Sequence, residues 1–147
     1  MKKSMGSSNM AQTGTILGVD FGRSKIGLAI ADEETRMAFA FDTLKNDKEF
    51  FKNLKEIVAC EKVKIVVIGM TSHEKDPAGA EEKMRFGGKL EKELGIKVEF
   101  QEEMFTTKMA QANLKMGGKR NISEKDDQEA ARIILQEWLD SHKSDII

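Results

Sequence analysis

The chain is poor in the residues that fix a structure covalently or carry a segment across a bilayer. Among 147 residues there is one cysteine, one proline and no tyrosine. Cys60 alone cannot form an internal disulfide. Its place at the end of a helical pattern suits a small buried hydrophobe in a reducing cytosol. No apolar run is long enough to span a bilayer, and Lys2 and Lys3 are followed by no apolar core of a secretory signal. The expected setting is therefore soluble and cytoplasmic, with no membrane partner. Charge of one sign is missing too: 24 basic and 25 acidic side chains leave a net charge of −1. Any nucleic-acid binding must then rest on local patches.

The length suits one domain with a real core. Residues 1–14 are polar, rich in Ser, Gly and Lys, and without periodicity, which predicts a disordered leader. The domain is expected over 15–141, with a frayed tail at 142–147 that includes His142. The stretch Ile16 to Ala31 organises the rest. Two short apolar runs, Ile16 to Val19 and Ile26 to Ala31, flank a turn at Gly22, Arg23, Ser24 and Lys25, the pattern of a hairpin. Asp20 stands where the first strand ends. A carboxylate there either starts the turn or faces a cation, and the two readings weigh equally on this residue alone. Gly18, Gly22 and Gly27 permit close backbone approach around it.

A third strand is expected over Arg36 to Leu44. Asn46 to Glu49 has the spacing of a capping box for a helix carrying Phe50, Phe51, Leu54, Ile57 and Val58 on one face. These phenylalanines read as core residues. Lys64 to Ile68 is continuously apolar and ends at Gly69, as a strand buried on both faces does. The polar loop after it holds His73, which reads as a solvated histidine. Asp76 and the single proline, Pro77, then form the start of a helix that Gly95 closes. Its Gly87-Gly88 pair weakens the middle while allowing close packing.

A strand over Lys97 to Phe100 leads into Glu102-Glu103-Met104-Phe105-Thr106-Thr107. On its own this constellation reads better as a solvated loop with a threonine N-cap. A helix from about Thr107 to Met116 is expected, then a loop with Lys119 and Arg120. In the last helix, starting near Ser123, Asp127, Ala130, Ala131, Ile134 and Trp138 share one face, so Asp127 turns toward the sheet while Asp126 and Glu129 do not. Here too an N-terminal dipole role is an equal reading. The order β-β-β-α-β-α-β-α-α makes an α/β protein with a five-stranded mixed sheet, three antiparallel N-terminal strands plus two parallel ones, flanked by helices. Asp20, Glu103 and Asp127 can then converge on one sheet edge, an arrangement suited to two divalent cations about 3.5–4 Å apart. Mg²⁺ favours such oxygen ligands and keeps waters.

These motifs together resemble the YqgF family of pre-16S rRNA nucleases, also called Holliday-junction-resolvase-like proteins, of the ribonuclease H-like fold. The resemblance runs from about Ile16 to Leu139. It rests on Leu17-Gly-Val-Asp-Phe-Gly22 with Ile26-Gly-Leu-Ala29, Val66-Val-Ile-Gly69, Glu102 to Thr107, and Asp127 to Leu135. It implies that Asp20, Glu103 and Asp127 are the catalytic, metal-binding acids, with Mg²⁺ or Mn²⁺ as cofactor. It also implies a nuclease acting on structured RNA, at the 5′ end of precursor 16S rRNA, as a monomer or homodimer. A DNA-junction resolvase and a non-catalytic binding module are the alternatives, and a nucleotide-binding role is a remoter one. The family's Asp-Glu-Arg appears as Glu102-Glu103-Met104, so a guanidinium is absent, and its Gly-Leu-Pro appears as Gly69-Met70-Thr71. Arg23 and Lys25 beside Asp20, with Thr106, Thr107, Lys108, Lys119 and Arg120 near the other acids, form the expected phosphate-contacting set.

Overall fold

The computed structural model describes residues 14–70, 74, 76–102 and 123–142. Five strands form one sheet: β1 (Thr15–Phe21), β2 (Lys25–Asp32), β3 (Ala38–Lys45), β4 (Val63–Met70) and β5 (Lys97–Glu102), in the order β3-β2-β1-β4-β5. The first three pair antiparallel, and β4 and β5 add in parallel, as the sequence pattern predicts. Three helices are described: α1 (Phe50–Cys60), α2 (Pro77–Leu94) and α3 (Ser123–Ser141). The helix expected over about 107–116, the loop with His73, most of the expected leader and most of the tail lie outside the described residues.

Alternation along the strands splits the apolar side chains between two layers. Leu17, Val19, Ile26, Leu28, Val66 and Ile68 pack with Phe50 and Leu54 of α1 and Phe86 and Leu90 of α2. Ile16, Ala29, Ala31 and Val67 face the other way, onto Ala131, Ile134, Leu135, Trp138 and Leu139 of α3. The uninterrupted apolar run of β4 is thus buried on both faces, for the reason its composition implies.

Helix α2 starts and stops as read. Pro77 occupies its first turn, the Asp76 Oδ1 accepts from the Gly79 N–H at 3.1 Å, and Gly95 closes it with a left-handed φ of 66°. The glycine pair divides its work: a Cβ on Gly87 would meet the Phe100 ring at 2.7 Å, whereas one on Gly88 would meet nothing.

Three local expectations are corrected. The capping box at Asn46 to Glu49 does not form, because Asn46 is taken by the β1–β2 turn, donating from Nδ2 to the Gly22 carbonyl at 2.7 Å. Helix α1 begins after an Asp47 turn, with no side-chain cap. Strand β3 starts at Ala38 rather than Arg36, since Arg36 takes a φ of 60° to close the loop from β2 and no strand passes through that conformation. Cys60 is exposed, because the face of α1 that meets the sheet carries Phe50 and Leu54 and the last residue turns away from it.

Candidate functional site

Asp20 lies one residue before the end of β1, directly opposite Gly27 of β2. Residues paired across antiparallel strands project to the same face. For this pair that is the α3 face, since Ile16, two pleats earlier on β1, packs in the α3 layer. Two glycines, Gly18 and Gly27, open this face around Asp20. A Cβ on Gly18 would lie 2.8 Å from the Leu135 Cβ and 3.0 Å from the Ala131 carbonyl oxygen. On Gly27 it would lie 2.0 Å from the Asp127 carbonyl oxygen and 2.9 Å from the Asp127 Cβ. Helix α3 therefore rests with its backbone on the sheet at these two glycines, and Ala130 and Ala131 keep its own contact face shallow.

The consequence is that Asp20 and Asp127 are neighbours. Facing residues of antiparallel strands have Cβ positions about 5 Å apart, and the Asp127 Cβ is 2.9 Å from the Cβ position on Gly27. The two aspartate Cβ atoms are then separated by no more than roughly 8 Å, by the same strand spacing. Both residues are half-buried, and neither is without a partner. Two carboxylates at this spacing offer hard oxygen donors of the kind a Mg²⁺ or Mn²⁺ ion takes. The donor set fits such an ion. Among the described residues no group of three or more potential ligands is present, and Glu103, the third expected acid, lies outside them.

The turn beside Asp20 is tied down from β3. Besides the Asn46 side-chain bond, the Asn46 N–H donates to the Ser24 carbonyl at 2.9 Å. Gly22 is required by close approach, since a Cβ there would lie 2.5 Å from the Lys25 carbonyl oxygen. Arg23 is exposed at this turn and Lys25 half-buried. Thr106, Thr107, Lys108, Lys119 and Arg120 lie outside the described residues.

On the opposite face, Phe21 anchors the same strand end. Its ring lies 4.6 Å from that of Phe86 and 6.3 Å, edge-on, from that of Phe50. Glu129 pairs with Arg132 through two hydrogen bonds, which raises the guanidinium pKa above its usual value. A separate groove of about 250 Å³ lies near the other end of β1, lined in part by Ile16, Lys64, Trp138 and His142. His142 stacks on Trp138 there at 4.4 Å.

Two residues near the carboxylates have no signal in the sequence pattern. Thr43 of β3 pairs with Gly27. The Gln128 Nε2 of α3 donates to its Oγ1 at 3.0 Å.

Comparison with known proteins gives this arrangement a family. The sequence model of the RuvX family, described as a Holliday junction resolvase, matches residues 14–141. A protein of Burkholderia mallei (strain SAVP1) named "Putative pre-16S rRNA nuclease" is 33% identical over 141 residues, covering 91% of this chain and 93% of the relative. A protein of the same name from Lactococcus lactis is 35% identical over 135 residues, covering 86% and 94%. Among solved structures, T. thermophilus RuvC in complex with a Holliday junction substrate is similar with a TM-score of 0.56 at 14% identity, covering 88% of this chain and 96% of that one. Fowlpox virus resolvase in complex with Holliday junction DNA gives 0.57 at 14%, covering 86% and 97%. At that identity the likeness speaks for the fold, which is the ribonuclease H-like one. The fold and the sequence matches define a nuclease. The chain belongs to the RuvX family, also called YqgF.

Proposed function

We propose that the protein is a divalent-metal-dependent endonuclease that cuts structured RNA, and that its substrate is the 5′ region of precursor 16S rRNA. The observation that carries this is the meeting of Asp20 and Asp127 over Gly27. It is supported by the 33–35% identical relatives that bear the name of pre-16S rRNA nucleases. In this reading Asp20, Glu103 and Asp127 are the catalytic and metal-holding acids, and Mg²⁺ or Mn²⁺ is the cofactor. A bound ion of this class supplies charge stabilisation at a phosphodiester and a water of lowered pKa. The chain's own part is to hold Asp20 and Asp127 together at the sheet edge. Arg23, Lys25, Thr106, Thr107, Lys119 and Arg120 contact backbone phosphates, which orients the strand without reading its sequence.

A second reading, resolution of four-way DNA junctions, is favoured by the description of the family model. It requires two symmetric incisions and hence a homodimer.

The deciding experiment is cleavage of a labelled precursor-rRNA 5′ fragment with Mg²⁺ or Mn²⁺, run beside a four-way DNA junction, with chelator and Asp20→Asn controls. RNA cutting that needs metal and disappears in Asp20→Asn is the expected result. Junction cutting alone, by a dimer, would transfer the function to the second reading. Binding of both substrates without cutting would leave a non-catalytic module.

A further inference from the structure

Helix α3 is stitched to strand β3 by two glutamines eight residues apart, and the two stitches differ in kind. Gln136 bonds backbone: its Oε1 accepts from the Ala38 N–H at 2.9 Å and its Nε2 donates to the Arg36 carbonyl at 3.2 Å. Gln128 bonds a side chain, the hydroxyl of Thr43, at 3.0 Å. Thr43, Gly27 and Asp20 form one row across β3, β2 and β1. Asp127 rests on the middle member of that row and Gln128 grips its outer end.

Thr43 reaches this face only because β3 carries a bulge. Phe39 pairs with Ile30 and Ala40 with Ala29, but Asp42 pairs with Leu28, so Phe41 is an extra residue. Without it the register would place Thr43 opposite Ile26, on the face of α1 and α2. A bulge commonly re-aims a side chain beside a functional site.

We propose that the Gln128–Thr43 hydrogen bond is a positioning device that sets the Asp127 carboxylate against Asp20, so that these two uncharged residues govern the affinity of the pair for a divalent cation. Two backbone contacts at Gly18 and Gly27 fix how closely α3 approaches the sheet. They do not fix how the turn that carries Asp127 slides along the row. A hydrogen bond from the residue next to Asp127 to the next strand removes that freedom. The inference rests on the carboxylate reading above.

The test is calorimetric titration of the full chain with Mn²⁺. Partners that orient metal-binding groups change affinity by about 10–100-fold when removed, so Thr43→Val and Gln128→Met should each weaken Mn²⁺ binding about tenfold. Because the two substitutions share the Gln128–Thr43 bond, the double variant should lose less than the sum of the two single losses. Thr43→Ser should restore binding. Gln136→Met should lower the melting temperature while leaving Mn²⁺ affinity unchanged, separating positioning from general support of the helix. Wild-type affinity in Thr43→Val, or additive losses in the double variant, would overturn the proposal. If the wild type binds Mn²⁺ no better than Asp20→Asn, the carboxylate reading fails instead. The device is then judged by amide exchange: faster exchange at Asp127 to Glu129 in Thr43→Val, with none at Ile134 to Leu139, supports it, and unchanged exchange refutes it.

Discussion

Gly27→Ala is the substitution that the structure constrains most tightly. The added methyl would lie 2.0 Å from the Asp127 carbonyl oxygen and 2.3 Å from its carbonyl carbon. Both atoms belong to the backbone of a helix packed along its length, so no side chain can rotate out of the way. Restoring even a tight contact of about 3 Å requires α3 and the sheet to part by roughly 1 Å at this point, and overpacking of this kind costs about 1–3 kcal/mol. For a chain of this size each kcal/mol lowers the melting temperature by about 2–4 °C, so a fall of roughly 2–12 °C is expected. The larger effect should be on the site. Octahedral Mg²⁺ holds its ligands at about 2.0–2.1 Å, and a 1 Å misplacement of a catalytic group can cost about 10²-fold. Thermal melting with and without Mn²⁺, together with single-turnover cleavage, reads both. The expected result is a protein that melts lower, gains little from Mn²⁺, and cuts about 100-fold more slowly. Unchanged melting, metal stabilisation and cleavage would refute the claim that Asp127 is seated on Gly27.

Other expectations follow from the same contacts. Gly88→Ala should stabilise by about 0.5–1 kcal/mol, since a mid-helix glycine is replaced where the new Cβ meets nothing. A lowered denaturation midpoint would contradict the open space seen there. Asp76→Ala removes the acceptor for the Gly79 N–H at the start of α2 and should cost about 1 kcal/mol in urea unfolding. Lys119→Ala with Arg120→Ala should weaken RNA binding and flatten its log–log salt dependence by roughly 1.5, the counterion release of two phosphate contacts. An unchanged slope would remove these two residues from the RNA-contacting set.

The parts of the site that could be read from the sequence are those governed by short-range periodicity. The end of β1 puts Asp20 on a defined face by simple alternation, and the offsets from Asp127 to Ala130, Ala131 and Ile134 mark one side of a helix. The glycines around Asp20 announced a close approach, and it is α3 that fills the space at Gly18 and Gly27. What periodicity could not give depends on contacts between distant residues. Asn46 has the right spacing for a cap, yet a carbonyl 24 residues earlier claims its side chain. Thr43 falls on the wrong face if β3 alternates strictly, and only the extra residue at Phe41 brings it beside Gly27. Local pattern carries no term for such a shift in register.

The placement of Asp127 by backbone contact has a cost that explains the composition of this strand pair. Two glycines and two alanines, at 18, 27, 29 and 31, occupy positions where larger β-branched residues would bury more apolar surface. The opposite face shows what the same strands carry when nothing must come close: Leu17, Val19, Ile26 and Leu28. The α3 layer gives up side-chain bulk at these strand positions so that a helix backbone can come down to the sheet, and draws its bulk from Ile134, Leu135, Trp138 and Leu139 of the helix. Phe21 links the two demands. It follows Asp20 directly, projects to the opposite face, and is held between Phe50 and Phe86. The end of β1 is thereby fixed from the α1 and α2 side while its carboxylate faces α3. A rigid strand end on one side and, on the other, a helix seated on glycine and tied to Thr43 through Gln128 leave little freedom between the two carboxylates, which is what the proposed cation, with its strict ligand distances, would need.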